Sequence, residues 1–429
     1  MLKLFKNSWA LFFGYFILMI AHGFQGNLLG VRSVIEDFNF LATGALMTGY
    51  FVGYFLGATN VPKIVGKVGH IRVFAAFASM ASLSILIHAV FVDPIIWTIG
   101  RFITGFSIVS IFIVMESWLN DRANNRTRGQ LLSIYLFITL LGISLGSLLL
   151  NFSSPEKYEP FILISLLLSS ALIPILLTKR KAPKFKKLGY IDINGLYKTS
   201  PLATVSMFCT GLIHSALFSL GAVYAAAMNF SIFEISLLLF LVTVFGGIFQ
   251  WPIGYYSDKS DRRIIIIFCT FFSSLFCCLA IFASGTSLEN MYLATNLGVD
   301  KIMFFIYVSL YAGMAIPLFT LNLAYVNDYI SKEKFVAAGG GMQIIFGMGA
   351  MAGPFLCSLL MNKFGTNGFF VHLLSFHLII GIFGLYRITK RPYEDNPEST
   401  FTPLPRNITP LGIELDPTTG ADISNTDEK

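Results

Sequence analysis

Residues 232–272 read IFEISLLLFLVTVFGGIFQWPIGYYSDKSDRRIIIIFCTFF, which is two apolar runs separated by a short charged loop. Each run is long enough to cross a bilayer, since a transmembrane helix needs roughly 20 predominantly apolar residues. The loop at 254–263 holds two acidic and three basic side chains. This pattern predicts two transmembrane helices joined by a charged loop at the membrane surface.

The same alternation of apolar runs and short polar loops covers most of the chain. The 429 residues are 55% hydrophobic and 12% charged, with a mean hydropathy of +0.71. Because a soluble globular domain has about 25% charged residues, this composition excludes an ordinary soluble enzyme and a disordered chain. The sequence predicts an all-α membrane protein with twelve transmembrane helices. Their predicted ranges are 8–31, 41–61, 73–92, 94–118, 130–151, 158–178, 200–228, 232–256, 264–285, 302–327, 336–361 and 368–389.

Lysine and arginine are distributed unequally between the two sets of loops. With the N-terminus in the cytoplasm, 25 of the 30 fall on the cytoplasmic side and four on the other. The positive-inside rule therefore predicts that both termini are cytoplasmic. We expect the membrane to be a cell inner membrane. We expect two six-helix bundles at 1–178 and 200–389, joined by a basic cytoplasmic linker at 179–199. Residues 390–429, rich in Pro, Thr, Asn and acids, are predicted to be a disordered cytoplasmic tail.

The five cysteines predict neither a metal site nor a disulfide framework. All of them lie within apolar runs and lack the spacing of zinc ligands. We also expect no cofactor. The net charge of +7 is explained by the basic loops, so we expect no nucleic-acid partner. The cysteines are Cys209, Cys269, Cys277, Cys278 and Cys357.

An internal repeat supports the division into two halves. A shift of 192 residues places His22 on His214, and a shift of 207 residues places Asn120-Asp121 on Asn327-Asp328. The change of offset falls in one longer loop at about 286–301. A parallel repeat of two six-helix halves is the plan of one large class of secondary transporters.

The loop from Gly254 to Arg263 resembles the signature loop of the major facilitator superfamily, G-x-x-x-D-[RK]-x-G-[RK]-[RK]. Asp261 replaces the second glycine of that pattern, and Gly66 replaces its aspartate in the matching loop of the first half. GHIRVFAAFAS at 69–79 and the run 116–130 resemble a bacterial group within the superfamily that includes riboflavin importers. The resemblance implies twelve helices, transport by alternating access and a protein that works as a monomer.

The second-half loop is predicted to act as a gate. The carboxylate of Asp258 is expected to accept hydrogen bonds from backbone N–H groups at a neighbouring helix N-terminus, where the helix dipole favours an anion. Lys259, Arg262 and Arg263 supply cations that are expected to pair with carboxylates on adjacent helix ends. The alternative is a cytoplasmic loop that is merely basic.

Glu116, near the cytoplasmic end of the fourth span, is also predicted to belong to the gate. We expect it to form an ion pair with Lys67, Arg72 or Arg128 in the neighbouring basic loops. The alternative is that Glu116 carries protons.

The eleventh span contains the run Gly349-x-x-x-Gly353-Pro354, which also resembles a superfamily motif. Small residues four apart allow close helix contact, whereas a proline loosens the backbone hydrogen bonding of a helix. The run therefore predicts either tight packing or a bending hinge.

The resemblance implies that the first and fourth helices of each half line the central path. Ten polar or aromatic side chains are candidates for binding the solute. The alternatives are histidines bonded to neighbours, tyrosines that anchor span ends, and an arginine that extends to the membrane surface. The candidates are His22, Gln25, Asn27, Tyr50, Tyr54, Arg101, His214, Tyr224, Tyr307 and Tyr311.

The predicted function is secondary active transport of a small organic solute. The middle of every predicted span lacks Asp and Glu, which disfavours a cationic-drug exporter and suits a neutral or anionic solute. If protons are coupled to transport, histidine is the expected carrier. The resemblance favours import of a vitamin such as riboflavin; the alternatives are a metabolite or drug exporter and a transporter-like membrane sensor. No residue set typical of a membrane enzyme or an ATP-binding loop is present.

Overall fold

The computed structural model describes residues 2–124, 126–176, 192–284, 297–390, 392 and 399–419. It confirms the all-α fold class, and the first half of the chain forms the first six spans. The sixth span is divided at Ala171 into two shorter helices, α6 and α7. The helices of the first half are α1 (Leu2–Ile35), α2 (Phe40–Val68), α3 (His70–Val90), α4 (Pro94–Arg122), α5 (Arg128–Leu148), α6 (Glu159–Ser170) and α7 (Leu172–Leu176).

The second half repeats this plan after a short helix, α8, at the end of the predicted linker. The linker up to residue 191 lies outside the described residues. The tenth span is divided near Pro317, so α12 and α13 together cross the membrane. The helices of this part are α8 (Ile193–Thr199), α9 (Pro201–Ala227), α10 (Ile232–Ser257), α11 (Arg262–Ala283), α12 (Leu297–Ala315), α13 (Leu318–Asn327), α14 (Phe335–Phe364) and α15 (Gly368–Ile388).

Side-chain caps explain where several spans begin. The Asn39 side chain accepts a hydrogen bond from the Ala42 backbone N–H at 2.8 Å, at the start of α2. Asp93 caps α4 in the same way, and Pro94 occupies the first turn, where a missing N–H has no cost. Ser231 and Glu234 form a reciprocal capping box at the start of α10. These local signals place the span boundaries at the polar loops.

The run Gly349-x-x-x-Gly353-Pro354 is used for packing in this structure. Helix α14 continues through Pro354 without interruption. A Cβ added at Gly349 would overlap the Phe208 carbonyl oxygen of α9, and one added at Gly353 would overlap the Leu212 carbonyl oxygen. The two glycines therefore allow α9 and α14 to approach backbone to backbone.

The two halves are in direct contact at one end of the bundle. This is the end at which α1, α3, α5, α9 and α14 finish, and we call it the opposite end. The Asn151 side-chain amide donates to Ser236 Oγ at 2.6 Å. Gly44 of α2 lies so close to α14 that an added Cβ would overlap Ser358 Oγ. These contacts join the first half to the second across their interface.

The other end, at which α2, α4, α10 and α13 finish, carries the charged loops and is called the basic end. Here residues 399–419 fold back from the end of α15 and lie between the two halves. We call this segment the docked tail. Leu404, Ile408 and Leu415 within it are buried. The prediction of a disordered tail is therefore wrong for 399–419, because its apolar side chains are covered by the helices of both halves.

Candidate solute-binding cavity

A cavity with a volume of about 650 Å³ lies between the two halves. Its walls come from α1, α2, α4 and α5 of the first half and from α9, α10 and α14 of the second half. Residues 406–411 of the docked tail complete the wall towards the basic end. This volume is within the 300–1,000 Å³ range typical of small-molecule sites.

Three first-half side chains form a polar cluster on the cavity wall. The imidazole ring of His22 lies 5.6 Å from the ring of Tyr50, measured between centroids. The guanidinium carbon of Arg101 lies 4.5 Å from the centroid of the Tyr50 ring, in a cation–π contact. Arg101 is 4% exposed, and its Nε is buried without a hydrogen-bond partner. Burying a cation in this way is costly, which points to a role in binding.

Two further first-half residues bring hydrogen-bonding groups to the cavity. The Asn27 amide of α1 donates to Ser147 Oγ of α5 at 2.9 Å, and both residues line the cavity. The Tyr54 hydroxyl of α2 donates to the backbone carbonyl of Asn407 in the docked tail at 2.6 Å. The cavity therefore combines aromatic faces with donors and acceptors, as sites for polar organic molecules do.

The second half contributes His214 of α9. Its Nε2 donates to the Ala315 carbonyl oxygen at 3.0 Å, where α12 ends. This hydrogen bond fixes the tautomer and leaves Nδ1, which has no partner, as an acceptor. Ser215, Ser219 and Gln343 also line this wall. His22 and His214, which are related by the internal repeat, therefore both reach the cavity.

Four of the ten predicted binding residues lie away from the cavity. Gln25 donates to Thr104 Oγ1 at 3.4 Å, between α1 and α4. Tyr224 is enclosed by phenylalanine rings, including Phe369 at 5.1 Å. The Tyr311 hydroxyl contacts His377 Nε2 at 3.2 Å. These side chains face helices of their own half and stabilise its packing, and Tyr307 packs beside the same apolar core.

At the basic end, the predicted gate residue Arg262 joins three parts of the chain. Its guanidinium forms ion pairs with Asp258, at 2.7 Å, and with Asp328 at the end of α13. It also donates to the Ser399 carbonyl oxygen of the docked tail at 2.7 Å. Asp258 in turn accepts from the Phe401 backbone N–H at 2.8 Å. The expected pairing of Arg262 with a neighbouring helix end is therefore present.

The profile of the Major Facilitator Superfamily matches residues 11–320 and, in a second match, residues 203–417. The chain belongs to the Major Facilitator Superfamily. Its fold also matches crystal structures of the nucleoside transporter NupG. One match has a TM-score of 0.71, 13% identity and coverage of 90% of this chain and 99% of NupG. A mutant form of NupG gives a TM-score of 0.73 at 11% identity, covering 88% and 99% of the two chains.

Superfamily relatives in bacteria match most of the chain. The uncharacterised MFS-type transporter YcaD of Escherichia fergusonii is 21% identical over 368 residues, which cover 85% of this chain and 92% of YcaD. The uncharacterised MFS-type transporter YE1530 of Yersinia enterocolitica is 24% identical over 338 residues, or 78% of this chain and 84% of the relative. The chain is therefore a multi-pass membrane transporter and not an enzyme.

Two other predicted gate residues of this superfamily member contact residues close to them in the sequence. Arg263 pairs with Asp261, two residues before it, at 2.6 Å. Asp261 also caps α11, so this contact is local to the start of that helix. Lys259 lies over the ring of Tyr255, 4.0 Å from its centroid, one turn earlier in the same segment. Arg262, by comparison, pairs with Asp328 at the end of α13.

Glu116 is the clearest correction to the predicted gate. It is fully buried, whereas Lys67 and Arg72 are exposed. Its carboxylate accepts from the Tyr135 hydroxyl at 2.9 Å and from the Thr409 backbone N–H at 3.1 Å. The Thr409 hydroxyl is a third donor. The expected ion pair is replaced by neutral donors, because the docked tail occupies the space beside Glu116.

The docked tail supplies cavity-lining residues that the sequence analysis missed. Arg406 lines the cavity, and its guanidinium carbon lies 3.1 Å from the centroid of the Phe218 ring. Gln343 of α14 donates to the Ile408 carbonyl oxygen. Burial raises the pKa of the Asp416 carboxyl near the end of the segment. The available signal was the row of apolar residues at 401, 404, 408, 411, 413 and 415 within a polar stretch.

Proposed function

We propose that this chain is a secondary active transporter that imports a small organic solute across the bacterial inner membrane by alternating access. The cavity of about 650 Å³ at the interface of the two halves is the observation that carries the proposal. Solute sites of transporters with two repeated halves lie at the repeat interface, near the middle of the membrane. Both repeat-related histidines, His22 and His214, line this cavity.

The contacts at the two ends support alternation between two states. At the opposite end the halves touch through Asn151 and Ser236. At the basic end they are joined through the docked tail, which contacts Glu116 of the first half and Arg262 of the second half. In alternating access the contacts at one end break when the solute path opens there. We infer that this structure is closed at the opposite end by contacts between helices and at the basic end by the docked tail.

The lining of the cavity supports a solute that is neutral or anionic and that has a planar ring. Within the described part of the chain, the lining includes Arg101, Lys63 and Arg406 but neither Asp nor Glu. Tyr50 and Tyr54 offer aromatic faces, and Asn27 offers an amide. A site without carboxylates is unsuited to a cationic drug. If protons drive the import, His22 and His214 are the proposed carriers.

Two solutes of this kind are direct candidates. Riboflavin has a planar ring system and a polar chain, and the resemblance of residues 69–79 to a group with riboflavin importers suggests it. Nucleosides are suggested by the fold shared with NupG, at 11–13% identity. Neither candidate is supported by the names of the relatives in E. fergusonii and Y. enterocolitica. We therefore propose the chemical class and treat both molecules as test solutes.

The test is uptake by cells that express the chain. Labelled riboflavin, uridine and a panel of aromatic carboxylates are supplied with and without an uncoupler of the proton gradient. We expect saturable uptake of at least one of them, with a raised KM in Tyr50→Leu and an unchanged KM in Tyr307→Leu. Uncoupler sensitivity would establish proton coupling. Efflux in place of uptake would make the protein an exporter, and binding without flux would make it a sensor.

A further inference from the structure

The docked tail lies where a solute would have to pass between the cavity and the basic end. It is held on the first half by the Asn120 amide, which donates to the Leu411 carbonyl oxygen at 2.6 Å, and by Glu116. It is held on the second half by Gln343 and by Arg262. A segment anchored to both halves at this depth forms part of the cavity wall.

The tail places a second guanidinium in the cavity that already contains Arg101. Arg406 is half-buried, and Phe218 covers one face of its guanidinium. Arg101 contacts the ring of Tyr50, and both arginines line the cavity together with Tyr50 and His22. Two like charges in a cavity of low polarity repel each other and each loses hydration.

The structure contains no carboxylate partner for these two arginines among the described residues. The ion pairs there involve Arg32, Arg262, Arg263 and Lys301. Glu116 is committed to Thr409 and Tyr135, as described above. Lys63, the third cation of the lining, is exposed. The cavity therefore has uncompensated positive charge, which an anionic ligand would neutralise.

We propose that Arg406 of the docked tail and Arg101 of α4 together form the site for the anionic group of the transported solute. The group is a carboxylate or a phosphate, which a planar guanidinium binds with paired hydrogen bonds. His22 and Tyr50 flank the site, and their rings face the organic part of the solute. The C-terminal segment is thus a component of the solute site, and this proposal deepens the proposed function, on which it rests.

The experiment measures binding of matched neutral and anionic probes to the full chain in detergent. The pairs are riboflavin and flavin mononucleotide, uridine and uridine 5′-monophosphate, and nicotinamide and nicotinate. Inorganic phosphate is included because it tests the anion site without an organic part. We expect the wild type to bind phosphate, and to bind the anionic member of at least one pair more tightly than its neutral partner. Arg406→Gln and Arg101→Gln are each expected to weaken anion binding about 10- to 100-fold.

Two further variants show whether a loss of anion binding is specific to the arginine site or follows from misfolding or from the removal of any positive charge. Lys390→Gln removes one cation from the exposed end of α15 and is expected to leave anion binding unchanged. Arg406→Lys keeps the charge and should restore part of the affinity that Arg406→Gln loses. The proposal is overturned if the wild type shows no preference for anions, or if Arg406→Gln retains it in full.

The same measurements distinguish this proposal from the proposed function. Binding of anions that depends on Arg406, without uptake of any probe, would reject transport and retain the anion site. If neutral probes are taken up equally by the wild type and by Arg406→Gln, the proposed transport function stands and the proposed anion site is rejected.

Discussion

Glu116 of α4 accepts hydrogen bonds from both the backbone amide and the hydroxyl of Thr409 in the docked tail. A buried carboxylate in the first half is thereby satisfied by a segment that follows the last helix of the second half. The contact spans 293 residues of sequence. It couples the position of the tail to the fourth span, which also carries Arg101 into the cavity.

Removing the carboxylate of Glu116 is expected to release the tail. A hydrogen bond to a charged group contributes about 1.5–3 kcal/mol, so Glu116→Ala should lower protection of residues 405–411 from hydrogen exchange by about 10- to 100-fold. Hydrogen–deuterium exchange with mass spectrometry measures this directly. Glu159→Ala, at an exposed position in the first turn of α6, is the matched control and should not alter the tail. Equal protection in both variants would show that Glu116 does not hold the tail.

The pairing of Arg262 with Asp328 predicts an asymmetry between the two halves. Asp328→Asn removes one of the two ion pairs of the buried Arg262 guanidinium and leaves the ion pair with Asp258. We expect a loss of about 1–3 kcal/mol in stability and slower transport. The repeat-related substitution Asp121→Asn changes an exposed carboxylate and should have little effect on either. Thermal unfolding and uptake rates of the two variants provide the comparison, and equal losses would refute a gate centred on the second half.

Solute binding should depend on the ring of Tyr50. Tyr50→Leu removes the aromatic face that Arg101 contacts at 4.5 Å. Because a desolvated cation–π contact contributes up to about 2 kcal/mol, the expected result is an increase in the KM for uptake of up to about 30-fold. Tyr307→Leu changes a half-buried tyrosine outside the cavity and serves as the control. A similar KM in the wild type and in Tyr50→Leu would remove Tyr50 from the site.

Closure of the opposite end should depend on Gly44. Since a Cβ at this position would overlap Ser358 Oγ, Gly44→Leu is expected to hold α2 and α14 apart and to favour the state open at that end. Gly66→Leu is the matched control, because nothing lies within 4 Å of a Cβ added there. Faster reaction of a cysteine placed at Ser147, with a thiol reagent added from the opposite side, would report the opening. Unchanged reaction in Gly44→Leu would exclude closure through this contact.

The sequence was sufficient to predict the twelve-span fold, because length, hydropathy and polar loops act locally along the chain. The resemblance to the superfamily, together with residue type, also predicted six cavity residues, which are His22, Asn27, Tyr50, Tyr54, Arg101 and His214. Tyr224 and Tyr311 have the same residue type in equivalent helices, but they face their own half. The direction in which a side chain points depends on helix rotation, which the weak periodicity of an apolar helix does not specify.

The docked tail illustrates a different limit. Its composition is that of a disordered segment, and its six apolar residues are too few to build a core of their own. They are buried only because α4, α13 and α14 provide a surface for them. Interactions between segments as distant as Glu116 and Thr409 leave no local pattern, so the partner of Glu116 was assigned to nearby basic residues instead.

The most direct test of this account measures access to the cavity from the basic end. Ser219 lines the cavity, so Ser219→Cys provides a thiol for a membrane-impermeant reagent, and the five native cysteines, which are buried or half-buried, set the background. The account predicts slow labelling in the full chain and much faster labelling when residues 399–429 are removed. Lys67→Cys, at the exposed end of α2 on the same side, should be labelled equally in both. Equal labelling of Ser219→Cys with and without the tail would contradict the claim that the tail closes the solute path.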